Sequence, residues 1–190
     1  MTTVSEAIKK RHSARAFTDR DVDIDTVKSI IQIAKQSPSG VNTQPWNVYV
    51  LSGDARDKLV NEATSRYDQG KMDGQEYLVY PKEMPDWYKE RRRAVGWAMY
   101  GAIGIEKGDT EKMMAQGRKN YEFFGAPVGI FITVKNCVGP NGWGHVGHFI
   151  QNVCLLAIEN GLATCLQEAW AELPKLVREH VDYPEDETLW

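Results

Sequence analysis

The sequence predicts an α+β fold, and three observations carry the prediction. Two strong strand runs, Trp46-Asn-Val-Tyr-Val-Leu51 and Val128-Gly-Ile-Phe-Ile-Thr-Val134, lie far apart with helical pattern between them. Helical signals outnumber strand signals along the whole chain. No βαβ unit repeats, so a doubly wound parallel sheet is not indicated. The 190 residues suffice for one domain with a buried core, and they contain no internal repeat and no low-complexity tract. A single domain over 1–190 is expected.

The elements follow in order. Thr3-x-x-Glu6 is a capping box that opens a short helix to about Arg11. A second helix follows Asp23, with Val27, Ile30, Ile31 and Ala34 on one stripe, and Ser37-Pro38-Ser39-Gly40 stops it. The strand at 46–51 is closed by Ser52-Gly53-Asp54, and 54–67 reads as helix. Residues 68–124 differ in character. They are rich in Tyr and Trp, are broken by Pro81 and Pro85, and are too long for a plain loop. A structured insertion is expected there, with helices near 86–104 and 110–122. After the strand at 128–134 come a Gly-rich loop, an apolar helix over 145–160 closed by Asn160-Gly161, a short strand near 162–167 and a helix over 171–180.

Composition excludes several function classes. Lys plus Arg is 23 and Asp plus Glu is 26, a net charge of −3, so no long-range field draws the chain to nucleic acid or anionic lipid. The mean hydropathy is −0.47, and no apolar run is long enough to span a bilayer. The N-terminus lacks the apolar stretch of a signal peptide, which predicts a cytoplasmic protein. Cys137, Cys154 and Cys165 are odd in number and widely spaced, which fits small buried hydrophobes better than disulfides or a zinc site.

Three segments have the residue types for chemistry. In Arg11-His12-Ser13-Ala14-Arg15 the two arginines are four apart, so a continued helical turn would aim both at one point. Two guanidiniums and a hydroxyl suit a phosphate dianion; equally, basic residues at a helix end complement its dipole. Ser37-Pro-Ser-Gly-Val-Asn-Thr-Gln-Pro-Trp46 is dense in small polar groups. Asn42 and Gln44 there suit an imide edge, or a turn with Trp46 in the core. Gly161-Leu-Ala-Thr-Cys-Leu-Gln-Glu-Ala-Trp170 sets a strand end before a helix, where backbone N–H groups are free to meet a planar ligand or simply to turn.

Other motifs carry less. Gly142-Trp-Gly144-His-Val-Gly147 spells G-x-G-x-x-G, but Lys135 to Asn141 separate it from the strand, which a dinucleotide turn does not permit. His145 and His148 have no third ligand nearby, so no metal site is expected. Arg91-Arg92-Arg93 is a solvated helix face or a contact for a pyridine nucleotide phosphate.

The order of these segments resembles the FMN-dependent nitroreductase family, in its nitroaromatic (nitrobenzoate-type) branch. The likeness rests on 7–17 (AIKKRHSARAF), 37–46 (SPSGVNTQPW), 120–129 (NYEFFGAPVG), 149–152 (FIQN) and 161–170 (GLATCLQEAW), and it spans essentially the whole chain. The resemblance implies a mainly antiparallel central sheet flanked by helices, a homodimer, and two FMN sites at its interface. It implies that Arg11, Ser13 and Arg15 hold the FMN phosphate with His12 alongside. Pro38, Ser39, Gly40, Asn42 and Gln44 would serve the flavin of the other subunit. Leu166, Gln167, Glu168 and Ala169 would lie along the isoalloxazine, with the Glu168 backbone near N5. No side chain is expected to be catalytic, since the flavin carries the hydride. NAD(P)H and a small aromatic acceptor, nitroaromatic or quinone-like, would use one slot in turn, in ping-pong fashion. Trp87, Tyr88 and Trp143 are candidate walls of that slot, and 68–124 would be its lid. Within the same fold, dehalogenation or enone reduction are alternatives. Family members usually continue past the point where this chain stops, and the approach at 185–190 looks like one more strand. A lost tail would weaken FMN retention or the dimer and leave a flavin-binding protein of reduced activity.

Overall fold

The computed structural model describes residues 2–190. Helix α1 (Val4–Lys10) opens on the expected capping box: Thr3 N–H donates to Glu6 Oε2 at 2.8 Å, and Glu6 N–H donates to Thr3 Oγ1 at 3.2 Å. Helix α2 (Ile24–Ala34) is capped by Asp23 and buries Val27, Ile30 and Ala34, as its stripe requires. Strand β1 (Asn47–Ser52) leads into α3 (Gly53–Asp68). Helices α4 (Asp86–Ala102) and α5 (Thr110–Arg118) follow, then β2 (Val128–Lys135), α6 (Pro140–Glu159), α7 (Pro174–Val181) and β3 (Glu187–Leu189).

The sheet runs β1-β2-β3 and is antiparallel throughout, with Tyr49 opposite Phe131 and Thr133 opposite Leu189. Alternation along the strands gives each face its own core. Leu51, Phe131 and Leu189 meet Leu59 of α3, Leu176 of α7 and Trp170. On the other face Val48, Ile132 and Val134 join Trp46, Ala34 of α2 and Phe149 of α6. Trp46 stacks on Phe149 at 5.0 Å and 12° between planes. The result is a thin sheet between two helical layers. Among the described residues no helix is long and apolar enough to cross a membrane.

Four expectations need correction. The loop before α6 is shorter than the sequence suggests: the helix starts at Pro140, whose fixed φ suits a first helical position. The G-x-G-x-x-G run is therefore helical and makes no phosphate-binding turn. A Cβ on Gly142 would fall 1.9 Å from Val138 Cγ1, which accounts for a glycine in this helix. The strand near 162–167 is reduced to one parallel bridge, Ser13 with Thr164. Gly161 in the left-handed region (φ +70°) and a 3-10 turn at Ala169–Glu172 leave it little length. Helix α5 ends at Arg118, and Lys119–Gly125 becomes a 3-10 turn with Phe123 and Phe124 at φ 52° and 53°. Burial overrides backbone preference there, since both rings are buried and Phe123 stacks on Trp170 at 4.7 Å. Of the cysteines only Cys154 is buried; Cys137, in the turn after β2, is exposed and Cys165 is half-buried.

Candidate active site

The Ser13–Thr164 bridge joins two of the three segments singled out in the sequence. Helix α1 ends at Lys10, and Arg11 is already extended at φ −61° and ψ 122°. The helical convergence expected of Arg11 and Arg15 therefore does not occur. In an extended chain, side chains two apart share a side, so Arg11, Ser13 and Arg15 are related by the strand period instead. Ala14 N–H donates to Thr164 O at 3.0 Å, and Phe17 N–H donates to Phe124 O at 3.1 Å. Burial pushes the Cys154 and Cys165 thiols up; Thr164 and Arg11 pull the first back down, and Arg15 pulls down the second. Of the segment 11–15, Arg15 lines the cleft described next, whereas Arg11, His12 and Ser13 do not.

Arg15 lines a cleft of about 400 Å³ together with Leu166, Gln167, Glu168 and Ala169. One Arg15 amine donates to its own Ser13 O at 3.3 Å, and no carboxylate pairs with Arg11 or Arg15 among the described residues. His12 is exposed, with Nδ1 3.0 Å from Lys10 O. The 166–169 run is fixed from behind. Gln167 Nε2 donates to Asn120 O at 2.8 Å, and Tyr121 OH donates to Ala169 O at 3.2 Å. The backbone N–H groups of Leu166, Gln167 and Glu168 have no acceptor among the described residues. Half-exposed Leu166 adds an apolar surface beside them. Charged donors at one end and free backbone donors along the other suit a ligand with an anionic tail and a flat polar edge.

The opposite wall consists of residues that the motifs did not reveal: Gln75, Val79, Tyr80 and Asn120. Segment 73–80 is tied to the 3-10 turn, since Asp73 and Gly74 N–H donate to Glu172 O and Gln75 Nε2 donates to Glu172 Oε1. Hydrogen bonding to the Glu168 carboxylate, with burial and that carboxylate's charge, pushes the Tyr80 phenol up to about 12. Trp87 and Tyr88 pack on each other on α4 at 5.6 Å, and Trp143 packs edge-on against Tyr77 at 4.8 Å. None of the three lines this cleft.

The third segment docks elsewhere, on α6. Asn152 Nδ2 donates to Ser37 Oγ at 2.7 Å, Gly40 N–H donates to His145 Nε2 at 3.0 Å, and His148 Nδ1 lies 3.4 Å from Pro38 O. Inside the loop, Gln44 N–H donates to Ser39 Oγ at 3.0 Å and Gln44 Nε2 donates to Asn42 Oδ1 at 3.2 Å. Val41, Asn42 and Gln44 all have left-handed φ, near 45°, 58° and 44°, and Val41 is 98% exposed. Three such residues together hold strain that only a well-anchored loop keeps. The loop makes no hydrogen bond to the Arg15 cleft among the described residues. His145 is engaged by the loop, and among the described residues no cluster of His, Cys, Asp and Glu is arranged to hold a metal ion.

The sequence and fold have counterparts among known proteins. The model of the Nitroreductase family matches residues 8–189. The 4-nitrobenzoate reductase of Nocardioides sp. (strain LMS-CY) is 34% identical over 187 residues, covering 96% of this chain and 75% of that protein. The nitrobenzene nitroreductase of Ectopseudomonas oleovorans is 31% identical over 188 residues, covering 98% and 82%. Among solved structures, the FMN and NADPH-dependent nitroreductase NfnB from Sphigopyxis sp. strain HMH superposes with a TM-score of 0.93 at 38% identity, covering 98% of this chain and 84% of that one.

Proposed function

This chain belongs to the nitroreductase family, and we propose that it is an FMN-dependent oxidoreductase that takes electrons from NAD(P)H and passes them to nitroaromatic or quinone-like compounds. One observation supports this most: a single non-local bridge, Ser13 with Thr164, sets Arg15, unpaired with any carboxylate among the described residues, and a run of free backbone donors around one cleft. When bound, FMN supplies reversible carriage of a hydride. Arg11, Ser13 and Arg15, with His12 alongside, would hold its phosphate through charge-assisted hydrogen bonds. Leu166, Gln167, Glu168 and Ala169 would hold its ring, the free N–H groups accommodating added negative charge. Tyr80 keeps its proton at neutral pH and walls the slot beside Glu168. With one slot for both, the electron donor leaves before the acceptor enters, which gives ping-pong kinetics. Two electrons and two protons take a nitro group to nitroso with loss of water, and two more of each give the hydroxylamine.

The working form is a homodimer in this reading. Pro38, Ser39, Gly40, Asn42 and Gln44 serve the flavin of a second copy, which fits a strained, outward-facing loop with no bond to its own chain's cleft. Helix α4 has no buried residue and exposes Trp87 and Val95 at 56% and 67%, as expected of a helix covered by another chain. Residues 68–124 act as the lid. The FMN-loaded protein should oxidise NAD(P)H when nitrobenzene or 4-nitrobenzoate is supplied, with the hydroxylamine as product. No NAD(P)H oxidation at saturating FMN would overturn the reading.

A further inference from the structure

A second cleft, of about 510 Å³, lies between α4 and residues 81–84 and has taken no part so far. Its walls carry four cations, Lys82, Lys89, Arg92 and Arg93, with Trp97 and Tyr100 beside them. Lys89 is paired with Asp86 at 3.2 Å, whereas Lys82, Arg92 and Arg93 have no carboxylate partner among the described residues. The nearest acidic neighbours in sequence, Glu83 and Glu90, line neither wall. On α4 the cations at 89, 92 and 93 share one face with Gly96 and Tyr100, while Trp87, Ala94 and Ala98 lie on the other. The face with Lys89, Arg92 and Arg93 is therefore turned to the cleft, away from the Trp87 face, on which Arg91 packs over the Trp87 ring.

The two clefts share a wall. Tyr80 lines the Arg15 cleft, and the Arg92 guanidinium lies over the Tyr80 ring at 5.2 Å while lining the second cleft. The clefts adjoin at this Arg92–Tyr80 contact, so a ligand seated in the first and carrying an anionic arm would meet the cations of the second. We propose that the second cleft receives the 2′-phosphate of NADPH, with Lys82 and Arg93 as its main contacts and Arg92 as the hinge between the clefts. The preference for NADPH over NADH is then built into α4. Guanidiniums recognise a phosphate dianion by paired, charge-assisted hydrogen bonds, and the hydroxyl of NADH offers no charge in exchange. This inference rests on the proposed reaction, which brings a nicotinamide to the Arg15 cleft.

The test uses the FMN-loaded protein and the double variant Lys82→Ala/Arg93→Ala, neither residue lining the Arg15 cleft. Calorimetry compares adenosine 2′,5′-bisphosphate with AMP. The bisphosphate should bind the parent at least about tenfold more tightly, and the variant should lose that difference. In turnover, kcat/KM for NADPH should fall by about tenfold or more in the variant, with that for NADH and the flavin content unchanged. Equal binding of the two nucleotides to the parent overturns the proposal, as does a parallel fall for NADPH and NADH. A loss confined to 4-nitrobenzoate, with nitrobenzene and both nicotinamides unaffected, assigns the cleft to an anionic acceptor and also overturns it. Tight bisphosphate binding without any bleaching of the flavin by NAD(P)H supports the phosphate site and defeats the oxidoreductase reading instead.

Discussion

Replacing Arg15 with alanine separates a binding role from a folding role. The side chain is exposed, is unpaired with any carboxylate, and makes one in-chain hydrogen bond of 3.3 Å to its own Ser13 carbonyl. Its removal leaves no buried group unsatisfied, so the fold should lose no more than about 0.5 kcal/mol. Toward an FMN phosphate the same guanidinium offers charged, directed donors worth roughly 1.5–3 kcal/mol, a 10- to 150-fold weaker Kd once lost. FMN fluorescence quenching on the apoprotein reads the Kd, and thermal melting of that apoprotein reads the fold. Arg15→Lys keeps the charge without the fork and should fall between the two. An unchanged FMN Kd in Arg15→Ala removes Arg15 from the phosphate site. A large drop in melting temperature contradicts the assignment of the residue to binding.

Three further outcomes follow from the packing. Glu187 is buried and accepts from Thr133 Oγ1 and Tyr49 OH while pairing with Lys135 Nζ at 3.3 Å, so Glu187→Ala strands two donors and should cost about 3 kcal/mol in a urea titration. A Cβ on Gly40 would sit 3.1 Å from His145 Nε2, so Gly40→Ala should weaken that hydrogen bond and destabilise by about 1 kcal/mol, and should cost nothing more once His145→Ala is present. Burial above all, with nearby carboxylate charge, pushes the phenols of Tyr121 and Tyr183 up to about 12. The unfolded chain then releases these protons first. Their contribution to stability should be constant below about pH 10 and fall between about pH 10 and 12 by roughly 2 kcal/mol per tyrosine, as melts across that range would show; a flat profile there would refute it.

Local signals in the sequence survived where local physics decides. The capping box at Thr3 and Glu6, the α2 stripe and the alternation in β1 and β2 each rest on neighbours within a few residues. What was hidden depends on contacts between distant segments. Phe123 ends a helix early because its ring packs on Trp170 and on Phe131 of the sheet. Residues 162–167 carry a strand-like pattern but find only Ser13 beside Thr164. The candidate site divides the same way. Its motifs at 11–15 and 161–170 are legible as chemistry, whereas their union through one bridge is not, because the chain leaves the helix at Arg11 and pairs Ser13 with Thr164. Tyr80 and Asn120 gave no motif, because only the tie between 73–80 and Glu172 places that wall.

The most direct test is the visible spectrum of the purified protein reconstituted with FMN. A bound-flavin spectrum that bleaches anaerobically with NADPH and returns on adding nitrobenzene is the predicted result. A colourless protein that FMN cannot reconstitute would contradict the whole account.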